Sequence, residues 1–483
     1  MLSVLNLSVD DDVQKLRTFS ELNHPPSFRY FTTRVFEDAI KTHVVTLMYS
    51  TYGYAHIDLD LQSGRHYLGV CVMPDYQGKG VGKRLIELIL KLYTGDIYLT
   101  VDKENMRAIL FYETYGFSRI QESQTTYTYK KHGMTLMDVS IGEAFDKLTI
   151  LDIKMQKIQD PAKKVHCKRE YDAVHANLSS YIVKHNRFYN WLKYINLRIW
   201  DLQDEMREGN RYSKKGFCDI LDLNDMRFRV KKRINDLVNS SFQEQKGYSL
   251  KAGVFLTHLG LGDLINMNGA IRYAALMVDK LYVICKTRNS KNVKEMFSDD
   301  SAICIVECMD DDQDLKAVIS GLPNITRNFF SGRLCGKHIS TVPEDITVQF
   351  YDHLEFPREV KHAFAYFHSN SPLDAPSIPY IFTHSSSSYG TQLNFKNQWN
   401  INEILTIDPN HNAYAPGHIW HDLAERYINR PILSYLKVIE NAQEIHVTDS
   451  SFYCLSCFIP IKATKKTCYD RLSGTILQHY RFK

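Results

Sequence analysis

The chain has 483 residues, 44% hydrophobic and 24% charged. That is the profile of a globular protein, with room for about three domains at about 150 residues each. Lys and Arg number 59 against 55 Asp and Glu, so the net charge is only +4; no basic tail or stripe offers nucleic acid a counterion-releasing surface. Ten scattered Cys exclude a disulfide framework, and apolar runs broken within about ten residues exclude a membrane span. The N-terminus lacks a basic region followed by an apolar stretch, so the expected location is the cytoplasm.

Residues 1–135 mix short helical and strand patterns. Asp10 to Asp12 open a helix, where carboxylates favour the dipole. Phe36 to Lys41 is a second short helix. HVVTLMYS and GYAHIDLDL read as strands across a Thr51-Tyr52-Gly53 turn, and Arg65 to Met73 as another. Gly78 to Tyr93 is an amphipathic helix, with Leu85, Ile86, Ile89 and Leu90 on one face. Asp96 to Val101 is a strand, Asn105 to Tyr115 a helix ended by Gly116, and TTYTYK a closing strand.

Residues 138–246 are helical in pattern. Ser140 with Glu143 forms a capping box, and Pro161 interrupts the chain after the first helix. An antiparallel bundle that links domains or oligomerises the chain is the plain expectation, making the protein a possible homo-oligomer. Arg227, Arg229, Lys231, Lys232 and Arg233 read as a solvated helix face. Residues 251–483 alternate strand, polar loop and helix, which predicts parallel sheets in two facing halves with a cleft between them. The fold class is therefore α/β multidomain.

The most informative stretch is YLGVCVMPDYQGKGVGKRLIELIL. A strand runs into Gln77-Gly78-Lys79-Gly80-Val81-Gly82 and then a helix. Glycines let backbone approach a ligand, and free amides at a positive helix end make an anion site suited to pyrophosphate. The spacing fits neither a Walker loop nor a dinucleotide fingerprint. The run V-x-P-x-x-Q-G-x-G-x-G, together with NMRAILFYETYGF, resembles the GCN-five-related N-acetyltransferase (GNAT) family over roughly residues 1–132. The resemblance implies an α+β domain with acetyl-CoA as cofactor. It implies that the amides of Gln77, Gly78, Lys79, Gly80, Val81 and Gly82 hold the pyrophosphate. Val70 and Val72 would pair with the pantetheine amides, Asn105 would touch the pantetheine arm, and Tyr112 would protonate the departing thiolate. A core aromatic is the other reading of Tyr112. The family does not fix the base that deprotonates the amine. His66, at the start of the strand where relatives place a Glu, is the candidate; His56 and Asp58 share a face of the neighbouring strand by two-residue alternation.

FLTHLGLGDLINMNGAIRYAA leaves a strand, turns at Gly260 and Gly262, and enters a helix at Asp263. It resembles the first glycine loop of GT-B glycosyltransferases related to heptosyltransferases, which implies a C-terminal double Rossmann domain with Asp263 as base on an acceptor hydroxyl. A helix-capping Asp is the alternative. On the same resemblance, His384, Ser385 and Ser386 to Ser388, and the block Asp449-Ser450-Ser451, would face the nucleotide sugar; the block departs from the family's D-S/T-G, and the serine run also reads as a flexible loop. His411, His418 and His421 have no accompanying Cys or second ligand pair, so no metal is expected.

The domain order resembles giant-virus fusions in which the acetyltransferase acts on a UDP-linked 4-amino-6-deoxysugar of the viosamine type. The resulting expectation is bifunctional: acetyl-CoA-dependent N-acetylation of a nucleotide-activated amino sugar, then glycosyl transfer to a glycan or glycoprotein acceptor, in host cytoplasm or a viral factory. The alternative is a protein or peptide N-acetyltransferase whose C-terminal half is a non-catalytic sugar-binding or interaction module.

Overall fold

The computed structural model describes residues 2–133, 138–208, 214–245, 247, 250–309, 312–339, 346–386, 393 and 399–477. Ser387 and Ser388 of the serine run lie outside the described residues. The chain divides into two compact units, Met1–Asp138 and Val139–Lys483.

The first unit is built on a seven-stranded sheet: β1 (Leu2–Val4), β2 (His43–Tyr49), β3 (Gly53–Asp60), β4 (Arg65–Val72), β5 (Ile97–Asp102), β6 (Ser118–Glu122) and β7 (Thr126–Lys131), in the order β1-β2-β3-β4-β5-β7-β6. Every neighbouring pair is antiparallel except β4 and β5. Alternation along the strands sends Leu47, Ala55, Ile57 and Leu68 to one face, under α3 (Val81–Leu92) and α4 (Met106–Thr114). Met48, Tyr54 and Cys71 go to the other face, under α1 (Asp10–Ser20) and the segment leading to α2 (Phe36–Lys41).

The second unit opens with α5 (Ile141–Lys157), α6 (Pro161–Lys184), α7 (Asn186–Glu208) and α8 (Lys214–Leu237). Ser140 caps α5 by accepting from the Glu143 amide at 3.2 Å, and Asp160 caps α6 with Pro161 at its first position. The first parallel sheet follows: β8 (Ala252–Leu256), α9 (Leu261–Asn266), α10 (Asn268–Ala275), β9 (Lys280–Lys286), α11 (Ser290–Met296), β10 (Ile303–Cys308), α12 (Asp312–Ser320) and β11 (Ile325–Phe330), in strand order β10-β9-β8-β11. After α13 (Ile346–His353) and α14 (Val360–Ala363) comes a second parallel sheet. It comprises β12 (Tyr380–His384), β13 (Leu405–Ile407), α15 (His421–Glu425), α16 (Leu436–Glu440), β14 (Glu444–Thr448), α17 (Ser451–Ser456) and β15 (Lys465–Tyr469), in strand order β13-β12-β14-β15. Both sheets are parallel throughout.

The sequence treats 138–246 and 251–483 as separate domains. In the structure the helices and both sheets share one continuous core. Trp191 of α7 is buried and stacks on Phe364 at 5.5 Å. The reading of the α8 basic cluster as a solvated face needs correction. Arg229 and Lys231 are buried. Arg227 pairs with Asp146, Arg229 with Asp279 at 3.0 Å, and Arg233 with Asp300 at 3.1 Å. A cation taken out of water needs a carboxylate partner, and α8 finds two of these beyond residue 250. Among the described residues no helix is long and apolar enough to cross a membrane.

Candidate active site

Strands β4 and β5 pair only through His66 with Ile97 and Tyr67 with Tyr98. Beyond Tyr67 they part, while β4 stays paired with β3 up to Val72. One edge of residues 68–72 is therefore left without a strand neighbour, and the sheet carries a cleft there. Backbone polar groups on one side recur every second residue, so Val70 and Val72 present theirs to the same edge. The Val72 carbonyl is met by the Gln77 side chain, which donates to it at 3.2 Å.

The chain then turns through Pro74–Tyr76. Gly78 and Gly80 have φ of +78° and +79°, the left-handed region that other L-residues adopt only at a cost. Gly80 is also the N-cap of α3, with no side chain covering the helix start. The first amides of α3 accordingly have no intrahelical acceptor. Gln77, Gly78, Lys79 and Gly80 are exposed, Val81 is buried and Gly82 half-buried. A Cβ at Gly80 would meet nothing within 4 Å. This is an open cradle of amides at the positive end of a helix, and it fits a pyrophosphate.

Helix α4 borders the cleft. Asn105 is its N-cap and accepts from the Ala108 amide at 3.1 Å, so its oxygen is engaged in capping. Arg107 donates to Gln77 Oε1 at 3.2 Å and ties α4 to the glycine turn. Tyr112 is half-buried, its ring edge-on to Phe111 and Phe117. Burial, then the field of Cys71, pushes its hydroxyl up to about 12; it is a proton donor at neutral pH.

His66 lies elsewhere. It sits in the paired stretch of β4 and rests on Tyr93, just past the C-terminus of α3. Helix α3 has 12 residues, about 18 Å of rise between that end and the glycine turn. His66 thus stands at the far end of α3 from the glycine turn. The structure gathers a different group on the α1 face. His43 and His56 stack at 4.8 Å; Tyr30 donates to Asp58 at 3.0 Å and lies 3.0 Å from His43 Nε2; Arg34 reaches Asp58 at 2.6 Å. The shared face of His56 and Asp58 was legible from alternation. Tyr30, Arg34 and His43 join them only through tertiary folding.

In the second unit α9 packs on α17, so the carboxyl ends of β8 and β14 meet. Neither Gly260 nor Gly262 has a positive φ; their role is space. A Cβ at Gly260 would come within 2.6 Å of Asp263 Oδ2, and one at Gly262 within 3.1 Å of Cys454 Sγ. Burial pushes the Asp263 carboxyl up to about 6, with the Arg471 cation opposing and the Asp449 charge adding to the rise. Arg471 donates to Asp449 at 3.1 Å. Ser450 Oγ and Thr448 Oγ1 lie 3.0 and 3.2 Å from His384 Nδ1. Burial lowers His384 to about 4, so the imidazole is neutral. Ser385 is committed to structure: its hydroxyl and amide both donate to the buried Asp408, at 2.9 and 3.1 Å. The Ser386 carbonyl accepts from Thr448 at 3.3 Å. Ser451 opens α17 against Gly262. His411, His418 and His421 have separate partners in Asp408, Asn402 and Asp422. Among the described residues no group of three or more His, Cys, Asp or Glu could hold a metal ion.

A model of the acetyltransferase (GNAT) family matches residues 13–117, and one of a family of unknown function (DUF6165) matches residues 135–255. Residues 1–138 thus carry a GNAT acetyltransferase domain, and acetyl-CoA is its cofactor. No curated protein matches the chain. Among solved structures, the chain is similar to the ribosomal-protein-S18-alanine N-acetyltransferase from Escherichia coli, at 19% identity over 29% of this chain and 99% of that one, TM-score 0.22. It is similar to the PaiA N-acetyltransferase from Thermoplasma acidophilum in complex with coenzyme A, at 13% identity over 27% and 99%, TM-score 0.22. A domain from Methanocaldococcus jannaschii is similar at 15% identity over 27% and 97%, TM-score 0.21.

Proposed function

We propose that this chain N-acetylates the amine of a nucleotide-activated amino sugar, a UDP-linked 4-amino-6-deoxysugar being the leading candidate, and that its C-terminal unit transfers the sugar to a glycan or glycoprotein acceptor. In the first unit, the amides of Gln77 to Gly82 hold the pyrophosphate of acetyl-CoA and the free edge of Val70 and Val72 holds the pantetheine. Asn105 supports the pantetheine arm through the start of α4, and Tyr112 gives its proton to the departing sulfur. Acetyl-CoA supplies an activated carbonyl; the chain's work is orientation and proton transfer.

One observation carries the sugar half of the reading: two parallel sheets meet at the carboxyl ends of β8 and β14, the usual place for a ligand in such sheets. There Asp263, its carboxyl raised to about 6, would take a proton from an acceptor hydroxyl, while Arg471, His384 and Ser450 would turn donors to a nucleotide diphosphate. The test follows CoA release by the full chain against UDP- and dTDP-amino sugars and against peptides, then uses the acetylated product as donor. Turnover on a sugar nucleotide, a fall in kcat of about a hundredfold for Tyr112→Phe, and loss of glycosyl transfer in Asp263→Asn support the reading. Turnover on peptides alone overturns it.

A further inference from the structure

We propose that His56 takes the proton lost by the acceptor amine during acetyl transfer, and that residue 69 is glycine so that the imidazole can reach the rim of the β4–β5 cleft. The inference rests on the acetyltransferase reading and concerns a residue role that the family leaves open.

The geometry starts at Gly69. His56 and Gly69 are register partners on β3 and β4. A Cβ on residue 69 would lie 2.1 Å from His56 Cε1, 2.8 Å from Nδ1 and 2.9 Å from Nε2; only glycine leaves the ring its place. Neighbouring strands stand about 4.8 Å apart, so a ring that starts on β3 and covers Gly69 ends on the line of β4. That line is the cleft rim, because the β4–β5 ladder stops at Tyr67. His56 Nδ1 is buried and has no hydrogen-bond partner. Leaving a buried polar atom unpaired is costly, and a catalytic role is one of the physical reasons for which a fold keeps one.

The face carrying His56 is also the one roofed by the segment between α1 and α2. Arg34 and Tyr30 tie that segment to Asp58 on β3, and Arg29 ties it to Asp102 at the end of β5, at 2.8 Å. A segment held on β3 and on β5 passes over β4 and the cleft. The groups that face His56 are His43 on β2, Tyr54 and Asp58 on β3, and Tyr30 and Arg34 on the roofing segment; Cys71 lies two residues beyond Gly69. Burial, then His43 and Arg34, hold the imidazole well below its ordinary value, so it is neutral and able to accept. Asp58 Oδ1, 3.8 Å from His56 Nε2, steadies the imidazolium once formed.

In the step itself the arriving ammonium first gives one proton to His56, which passes it to solvent; the freed amine nitrogen then bonds to the thioester carbonyl carbon and its second proton goes to His56. The C–S bond breaks, and the sulfur takes the hydroxyl proton of Tyr112. The proton on His56 then returns to Tyr112 through solvent, so the products are the amide and the free thiol of CoA.

The test is the pH dependence of kcat/KM for the full chain, with CoA release read against an amine that the wild type acetylates. An acceptor that arrives protonated and is deprotonated in place gives a wild-type profile that is level between the imidazole's value and the amine's own. His56→Asn removes the acceptor of that proton. Only free amine then reacts, so the rate rises tenfold per pH unit up to the amine's own value. At pH 7 the variant is about a hundredfold slower, while its acetyl-CoA Kd, measured by calorimetry, stays within twofold. A His56→Asn chain with wild-type rate and profile overturns the proposal. So does a level profile lost in His66→Ala but kept in His56→Asn. If His56→Asn does not bind acetyl-CoA, Tyr30→Phe takes its place; it keeps the ring over His56 and should lower kcat about fivefold with a displaced acid limb, and an unchanged limb overturns the proposal. A wild-type chain that acetylates no amine at all overturns the acetyltransferase reading instead.

Discussion

At the residue scale, position along a strand separates histidines that look equivalent in sequence. His66 and His56 lie on neighbouring strands of the sheet that leads to the glycine turn. The first is trapped where β4 and β5 still pair, and the second where they have parted. Alternation shows which face a side chain takes, but not where a ladder ends, so the different surroundings of the two histidines are not legible in the sequence. Asp263 shows the cost of burying a carboxyl. Its carboxyl is raised from 3.8 to about 6, chiefly by burial. A raised carboxylate makes the folded state hold its proton more tightly than the unfolded state, so stability falls as pH rises from 3.8 to about 6 and stays reduced above that. Asp263→Asn has no charge to bury. It should raise the melting temperature at pH 8 by about 2 °C and leave it unchanged at pH 4, as read by calorimetry; an equal shift at both would show that the carboxylate is not the cause.

At the element scale, caps and amphipathic faces made the helices readable, and alternation did the same for β2 to β5. Strand β1 is three residues long, and β6 is exposed along its whole length; neither offers a pattern, and both were missed. The glycine turn before α3 was legible because its composition and its conformation coincide. At Gly80 the two can be separated by experiment. A Cβ there meets nothing, so substitution acts through φ alone. Alanine in the left-handed region costs about 1 kcal/mol or more, and relief by rotating the peptide moves the amides that face the pyrophosphate. Gly80→Ala should therefore weaken acetyl-CoA binding about tenfold. Gly80→Asn, whose side chain tolerates that region, should lose less. Equal losses for the two would mean that side-chain bulk, rather than backbone conformation, is what the turn excludes.

At the scale of the whole molecule, the compact units keep one of the two boundaries that texture draws. Composition changes near 138 and again near 250, yet only the first change separates two cores. Helices α7 and α8 pack against the part that carries the two parallel sheets, Trp191 of α7 stacking on Phe364. Their basic residues are neutralised across the same seam, Arg187 by Asp299, Arg229 by Asp279 and Arg233 by Asp300. Cutting there would expose Trp191 and Phe364 and strand several half-buried charges, and an uncompensated buried charge alone costs about 3–5 kcal/mol. That is a large share of the roughly 5–15 kcal/mol that holds a domain together. A fragment of residues 139–483 should accordingly unfold cooperatively, and residues 1–138 should fold alone and bind acetyl-CoA with the affinity of the full chain. A fragment of 251–483 should aggregate or resist refolding unless 139–246 is supplied alongside it. If 251–483 by itself melts cooperatively at the temperature of 139–483, the helices are an independent domain after all, and the ion pairs along the seam contribute little to holding it.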